Sequence, residues 1–154
     1  MSQDWLFQTE KGTCSFRCAG VLIQNGKVLL QRADGEYALP GGHVQVGETG
    51  KDAVEREWKE EMGADIQCLQ LLWTEECFWQ WNSRTMHTLS FYYLAALKTE
   101  SVIPDDGQFH PCKDNPKVQI GWVPFEQLDE LTVYPSFLKQ EIHHLKPGHF
   151  VTQA

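Results

Sequence analysis

The chain has 154 residues, a length that suits one domain, residues 1–154, with a real core. Its 42% hydrophobic content is that of an ordinary globular protein. A formal net charge of -8 argues against general binding to nucleic-acid backbones, which needs a basic stripe, but not against a nucleotide substrate, because a bound cation inverts the local field.

Met1 to Trp5 has neither the basic start nor the apolar run of a signal peptide. No apolar run approaches ~18 residues, so no membrane span is expected and a cytoplasmic protein is the default. Five cysteines, Cys14, Cys18, Cys68, Cys77 and Cys112, form no CxxC pair, as structural thiols in a reducing compartment would not. His110-Pro111-Cys112 lacks the second pair that a zinc site needs.

In chain order, Phe16 to Ile23 reads as a strand, Asn25-Gly26 as a hairpin turn, and Lys27 to Arg32 as the returning strand. Asp34-Gly35 makes another turn, and Tyr37 to Pro40 is a short extended run. A helix follows from Thr49, its N-cap, to Gly63, its C′ residue. Val54, Trp58 and Met62 recur at i, i+4, i+8 and are its expected buried row. The adjacent face carries Gly50 and Ala53 below Glu57 and Glu61, which reads as room for a ligand. Asp65 to Trp81 and Thr85 to Leu97 are long strands joined at Asn82-Ser83. Residues 99–117 contain Pro104, Gly107, Pro111 and Pro116 and read as a long loop. A short strand over Gln119 to Val123 and a closing helix over Pro135 to Lys146 complete the order. The helix would bury Leu138, Ile142 and Leu145 and stop at Pro147-Gly148. The alternation predicts an α/β fold, a mixed sheet with helices on both sides.

The chemistry concentrates in Arg56-Glu57-Trp58-Lys59-Glu60-Glu61. Glu57 and Glu61 are four apart and share a face, with Glu60 beside them. Like charges at that spacing cost ~0.2–0.5 kcal/mol per pair on a plain helix. A hard divalent cation such as Mg²⁺ would repay that cost, since it takes oxygen ligands from protein, water and phosphate. The plain alternative is a solvated acidic helix with Arg56–Glu60 and Glu55–Lys59 pairs; the preceding Gly41-Gly42 and Glu48 favour the metal site.

Gly42, Glu48 six residues on, and Arg56-Glu57-Trp58-x-Glu60-Glu61-x-Gly63-Ala64 resemble the signature of the Nudix (MutT-like) hydrolases. Every glycine, glutamate and arginine of the pattern is present; Trp58 and Ala64 replace bulky aliphatic residues, and Ala64 could loosen the helix exit. The segments Val21 to Arg32 and Gly121 to Pro124 are also similar to the family. The resemblance implies an α/β/α sandwich with a mixed central sheet. It implies hydrolysis of a phosphoanhydride bond, the diphosphate linkage of a nucleoside-diphosphate derivative, by water attack at phosphorus with Mg²⁺ or Mn²⁺. It also implies roles: Glu57, Glu61 and the Gly41 carbonyl as metal ligands, Glu60 as ligand to a second metal, and an Arg56–Glu48 pair that holds Glu57.

The general base stays open between a signature glutamate and Glu75, Glu76, Asp105, Asp106 or Asp114. Gln119 stands where many relatives carry a glutamate. Arg32 is a candidate phosphate contact, against the plain reading of a strand-end charge. Phe78, Trp79 and Trp81 could stack a base, line a homodimer interface or fill the core. Alternative functions are a house-cleaning nucleoside-triphosphate pyrophosphohydrolase and a Nudix scaffold that senses a nucleotide without cleaving it.

Overall fold

A computed structural model describes residues 2–98 and 103–153. Residues 99–102 of the expected long loop lie outside the described residues, as do Met1 and Ala154. The first half contains β1 (Leu6–Thr9), β2 (Gly12–Val21), β3 (Ile23–Gln24), β4 (Lys27–Ala33), β5 (Glu36–Ala38), β6 (Gly41–His43) and α1 (Gly50–Met62). Then come β7 (Ile66–Trp81), β8 (Arg84–Leu97), β9 (His110–Pro111), β10 (Gln119–Pro124), a 3-10 segment (Phe125–Glu130), β11 (Val133–Tyr134), α2 (Leu138–Glu141) and β12 (Gly148–Gln153).

The strands form two mixed sheets. One runs β1-β2-β8-β7-β12 with β6 on β2, and the other β11-β5-β4-β10-β9 with β3 on β4. The pairings β2–β8 and β12–β7 are parallel, while β7–β8 is a long antiparallel ribbon. Three tight turns use paired positive φ values: Asn25-Gly26, Asp34-Gly35 and Asn82-Ser83. Those angles are the ones type I′ hairpins require.

Two apolar clusters hold the sheets and helices together. Val54, Ala53 and Trp58 of α1 pack with Cys18, Leu29, Cys68, Ala95 and Trp122. On the other side Val21, Leu30, Trp73, Tyr92 and Val123 pack with Leu128 of the 3-10 segment and Phe137, Leu138 and Ile142 around α2. The result is an α/β fold with α1 on one side and short helical turns on the other. No helix among the described residues is long and apolar enough to cross a membrane.

The closing helix is much shorter than the sequence pattern predicts. Leu138 and Ile142 are buried as that pattern requires, but the helix ends after Glu141 and Leu145 takes a left-handed φ of 45°. The Trp73 indole then donates to the Lys146 carbonyl at 3.0 Å, and residues 148–153 pair with β7 as an edge strand. Non-local pairing thus captures a segment whose local propensity is ambiguous.

Candidate active site

Helix α1 is fixed at both ends and in its middle. Thr49 Oγ1 accepts from the Asp52 amide at 3.1 Å, and Gly63, at φ 67°, sends its amide to the Lys59 carbonyl. Trp58 is fully buried and its indole donates to the Pro40 carbonyl at 2.9 Å. The tryptophan therefore ties the helix to the strand exit, which an aliphatic residue could not do. Ala64 is buried beside the capped terminus, and the Lys113 amide holds the Glu61 carbonyl at 2.8 Å, so the exit is closed rather than loosened.

The two glycines of β6, Gly41 and Gly42, let a carboxylate approach the backbone. A Cβ on Gly42 would lie 2.4 Å from the Glu57 carboxyl carbon, and one on Gly41 would lie 1.9 Å from the Cys18 carbonyl oxygen. Only glycine leaves that space. The small residues lower on α1 serve another purpose: Ala53 is fully buried and Gly50 packs under the Tyr93 hydroxyl. The room expected there for a ligand is filled by protein.

Arg56 joins four acceptors. It grips Glu48 with two bonds, Nε at 2.7 Å and Nη2 at 3.0 Å, and donates to Glu57 at 2.9 Å, Glu60 at 3.3 Å and the His43 carbonyl at 3.2 Å. Its bonds hold the Glu48 carboxyl below the usual carboxylate range. Burial raises Glu57, and Arg56 opposes that rise. A bidentate, partly buried pair of this kind orients its neighbours more than an isolated surface ion pair does.

Glu61 differs. Burial, the Glu57 charge and the Asp114 charge push its carboxyl up to about 8. Its Oε2 is buried without a hydrogen-bond partner among the described residues. An unsatisfied buried carboxylate oxygen next to a second glutamate is costly for the protein alone and suits a hard cation. No three described His, Cys, Asp or Glu side chains are gathered into a ready metal cluster, and Arg56 pairs with both Glu57 and Glu60. The donor set fits Mg²⁺ or Mn²⁺ nonetheless: carboxylate oxygens, one of them orphaned, with Glu57 lying against Gly42.

The loop and strand acids separate by their partners. Asp105 pairs with Lys27 at 2.9 Å, Asp106 with His110, and Glu76 with His149 at 2.7 Å. Glu75 is buried, accepting from the Tyr92 and Thr152 hydroxyls. Asp114 is the acid whose charge acts on Glu61. Burial pushes the Cys18 thiol to about 12, so it is a packed group rather than a nucleophile. All five cysteines are free.

A cleft of about 560 Å³ opens on the face of β2, β8 and β7 that points away from α1. Its lining includes Arg17, Glu75, Ser90, Trp79, Trp81 and Tyr134. A smaller cavity of about 110 Å³ shares Arg17, Ser90, Tyr92 and Tyr134 with it and reaches Gly41 and Gln31. Arg17 therefore lines both spaces, and its charge is felt at Glu61 and His43. Arg32 lines neither: its guanidinium sits 4.1 Å over the Phe109 ring and donates to Gln119. Trp79 and Trp81 face the cleft, whereas Phe78 stacks on His87.

Arg17 was not among the residues singled out from the sequence. A signal existed in the period-two polar series Thr13, Ser15, Arg17 on β2 and Thr88, Ser90 on β8, which marks a polar sheet face.

A family model for the NUDIX domain matches residues 15–145. A curated relative, the NAD-capped RNA hydrolase NudC of Pasteurella multocida, is 34% identical over 82 residues, covering 46% of this chain and 31% of that protein. The match thus spans less than a third of that relative's length. The crystal structure of a MutT protein from Bacillus halodurans superposes with a TM-score of 0.65 at 17% identity, covering 90% of this chain and 89% of that one. An ADP-ribose pyrophosphatase from Streptococcus suis superposes at 0.60 and 18% identity, covering 90% and 98%. At these identities the two structures speak for the fold.

Proposed function

The chain belongs to the NUDIX family, and from that premise we propose that it is a metal-dependent hydrolase of phosphoanhydride bonds, cleaving the diphosphate linkage of a nucleoside-diphosphate derivative. The observation that carries this reading is the orphaned, buried oxygen of Glu61 beside Glu57; Arg17, whose charge acts on Glu61, lines both the aromatic cleft and the smaller cavity that reaches Gly41. The whole chain is read as one domain, since both sheets contribute residues to these spaces.

Glu57, Glu61, Glu60 and the Gly41 carbonyl would hold a divalent cation. Such an ion supplies charge neutralisation for the diphosphate and acidifies the attacking water. The remaining work falls to the chain. Arg56, anchored on Glu48, keeps the Glu57 carboxylate in one orientation under Gly42. Arg17 replaces Arg32 as the phosphate contact, because it faces both the cleft and the Gly41 cavity. Trp79 and Trp81 offer faces for a nucleoside base, and the Trp79 ring is fixed by its bond to Thr88 at 3.1 Å. Asp114, whose charge acts on Glu61, is our candidate for the acid that takes the proton from water as it attacks phosphorus.

The test is a panel of nucleoside-diphosphate derivatives and nucleoside triphosphates with Mg²⁺ or Mn²⁺, products read by phosphorus NMR in ¹⁸O-labelled water. Cleavage within the diphosphate, with label on one phosphate, is the expected result. Hydrolysis of triphosphates alone would move the protein to the house-cleaning class. Binding without any cleavage would make it a sensor and overturn the proposal.

A further inference from the structure

We propose that Glu75 selects nucleotides whose base presents an N–H beside an NH₂ group, the donor pair of guanine. The inference rests on the nucleotide reading above and adds the base to it.

The β register places Arg17, Ser90 and Glu75 opposite one another on three neighbouring strands. Residues paired in register point to the same face, so the three form one polar row across the cleft floor. Two strand spacings of ~4.8 Å set Arg17 and Glu75 about 10 Å apart at the backbone, on the scale of a nucleoside. With phosphate at Arg17, the base lies at Glu75, where Trp79 and Trp81 line the same space.

The chemistry of that floor is one-sided. Glu75 Oε1 accepts from the Tyr92 hydroxyl at 2.6 Å, and Oε2 from the Thr152 hydroxyl at 2.7 Å. Each of these oxygens has two acceptor sites and takes one hydroxyl bond, so one site remains on each. Two adjacent acceptors match two adjacent donors. Guanine supplies them as N1–H and its 2-amino group. Adenine and cytosine offer an amino group next to a ring acceptor, and uracil an N–H between two carbonyls; each sets a lone pair against the carboxylate. Burial makes the mismatch costly, since a site built to hydrogen-bond a group rejects ligands that lack it.

The experiment uses the whole chain and four probes, GMP, IMP, AMP and UMP, titrated against tryptophan fluorescence without metal. IMP keeps N1–H and lacks the 2-amino group. The expected result is GMP binding about 10-fold or more tighter than IMP, with AMP and UMP weaker still. In Glu75→Gln the GMP/IMP ratio falls to within about 2-fold, while Thr152→Val leaves the ratio intact even if it loosens β12. Equal binding of the four by the wild-type chain, or no binding at all, overturns the proposal whether or not the Gln variant folds. So does a preference that survives Glu75→Gln. Loss of the hydrolase reading gives a different pattern: base preference among these monophosphates, but no product from the matching nucleoside-diphosphate derivatives in Mg²⁺ or Mn²⁺.

Discussion

Glu61 and Glu75 are both carboxylates withdrawn from water, yet the protein treats them differently. Glu75 has a hydroxyl donor on each oxygen, from Tyr92 and Thr152. Glu61 has a buried oxygen with no partner among the described residues, next to Glu57 and within reach of the Asp114 charge. The first has a donor from the fold on each oxygen and an acceptor site to spare on each. The second has an oxygen that the described residues leave without a donor, where we propose that a cation binds. Desolvation that a protein leaves uncompensated in one place and compensates in another marks where a ligand's charge belongs.

The contrast can be broken most severely at Glu61. Glu61→Gln, or Glu57→Gln, should lower turnover by about 10³-fold or more, since several kcal/mol of transition-state charge stabilisation depend on the cation. Steady-state kinetics checks this, and circular dichroism should show the fold retained. Asp114→Asn should slow hydrolysis by about 10²-fold if it is the base, with binding little changed; full activity would clear it. Arg56→Gln should cost about 10- to 100-fold by releasing Glu57 and weakening metal affinity together. Arg17→Met should raise KM about 10-fold with a smaller change in kcat, as loss of a phosphate contact does.

The smallest effect sharpens the contrast through pH. The Glu61 carboxyl rises to about 8 from an ordinary value near 4.5. A raised carboxyl favours the protonated native state, so its contribution to stability is full below about 4.5 and is lost as pH climbs to about 8. Metal-free protein should therefore show a falling Tm across that window, and added Mg²⁺ or Mn²⁺ should reverse the trend at the upper end. Glu61→Gln should flatten the curve.

Helix α1 and its surroundings were legible because their signals are local. Thr49, Gly63, the Val54–Trp58 row and the Asn25-Gly26 turn each encode their geometry within a few residues. The glutamates and Arg56 were readable for the same reason, as one segment with a fixed spacing. The closing segment was not: Leu138 and Ile142 keep helical spacing, but β12 owes its strand to pairing with Trp73 through Phe78, about seventy residues away in sequence. The cleft was hidden in the same way. Arg17, Ser90 and Glu75 meet only through β2–β8–β7 register, so Glu75 read as one of several candidate bases and Arg32, at a strand end in the other sheet, as the candidate phosphate contact. Sheet register is a non-local quantity, and a face shared by three strands cannot be counted off one of them.

The central claim is that the acidic edge of α1 is incomplete without a divalent cation. Isothermal titration of Mn²⁺ into the metal-free chain tests it directly, for the wild type and Glu61→Gln side by side. Saturable binding to the wild type, with uptake lost or at least tenfold weaker in the variant, is the predicted outcome. Identical isotherms for the two, or no uptake even with a nucleoside diphosphate present, would contradict it.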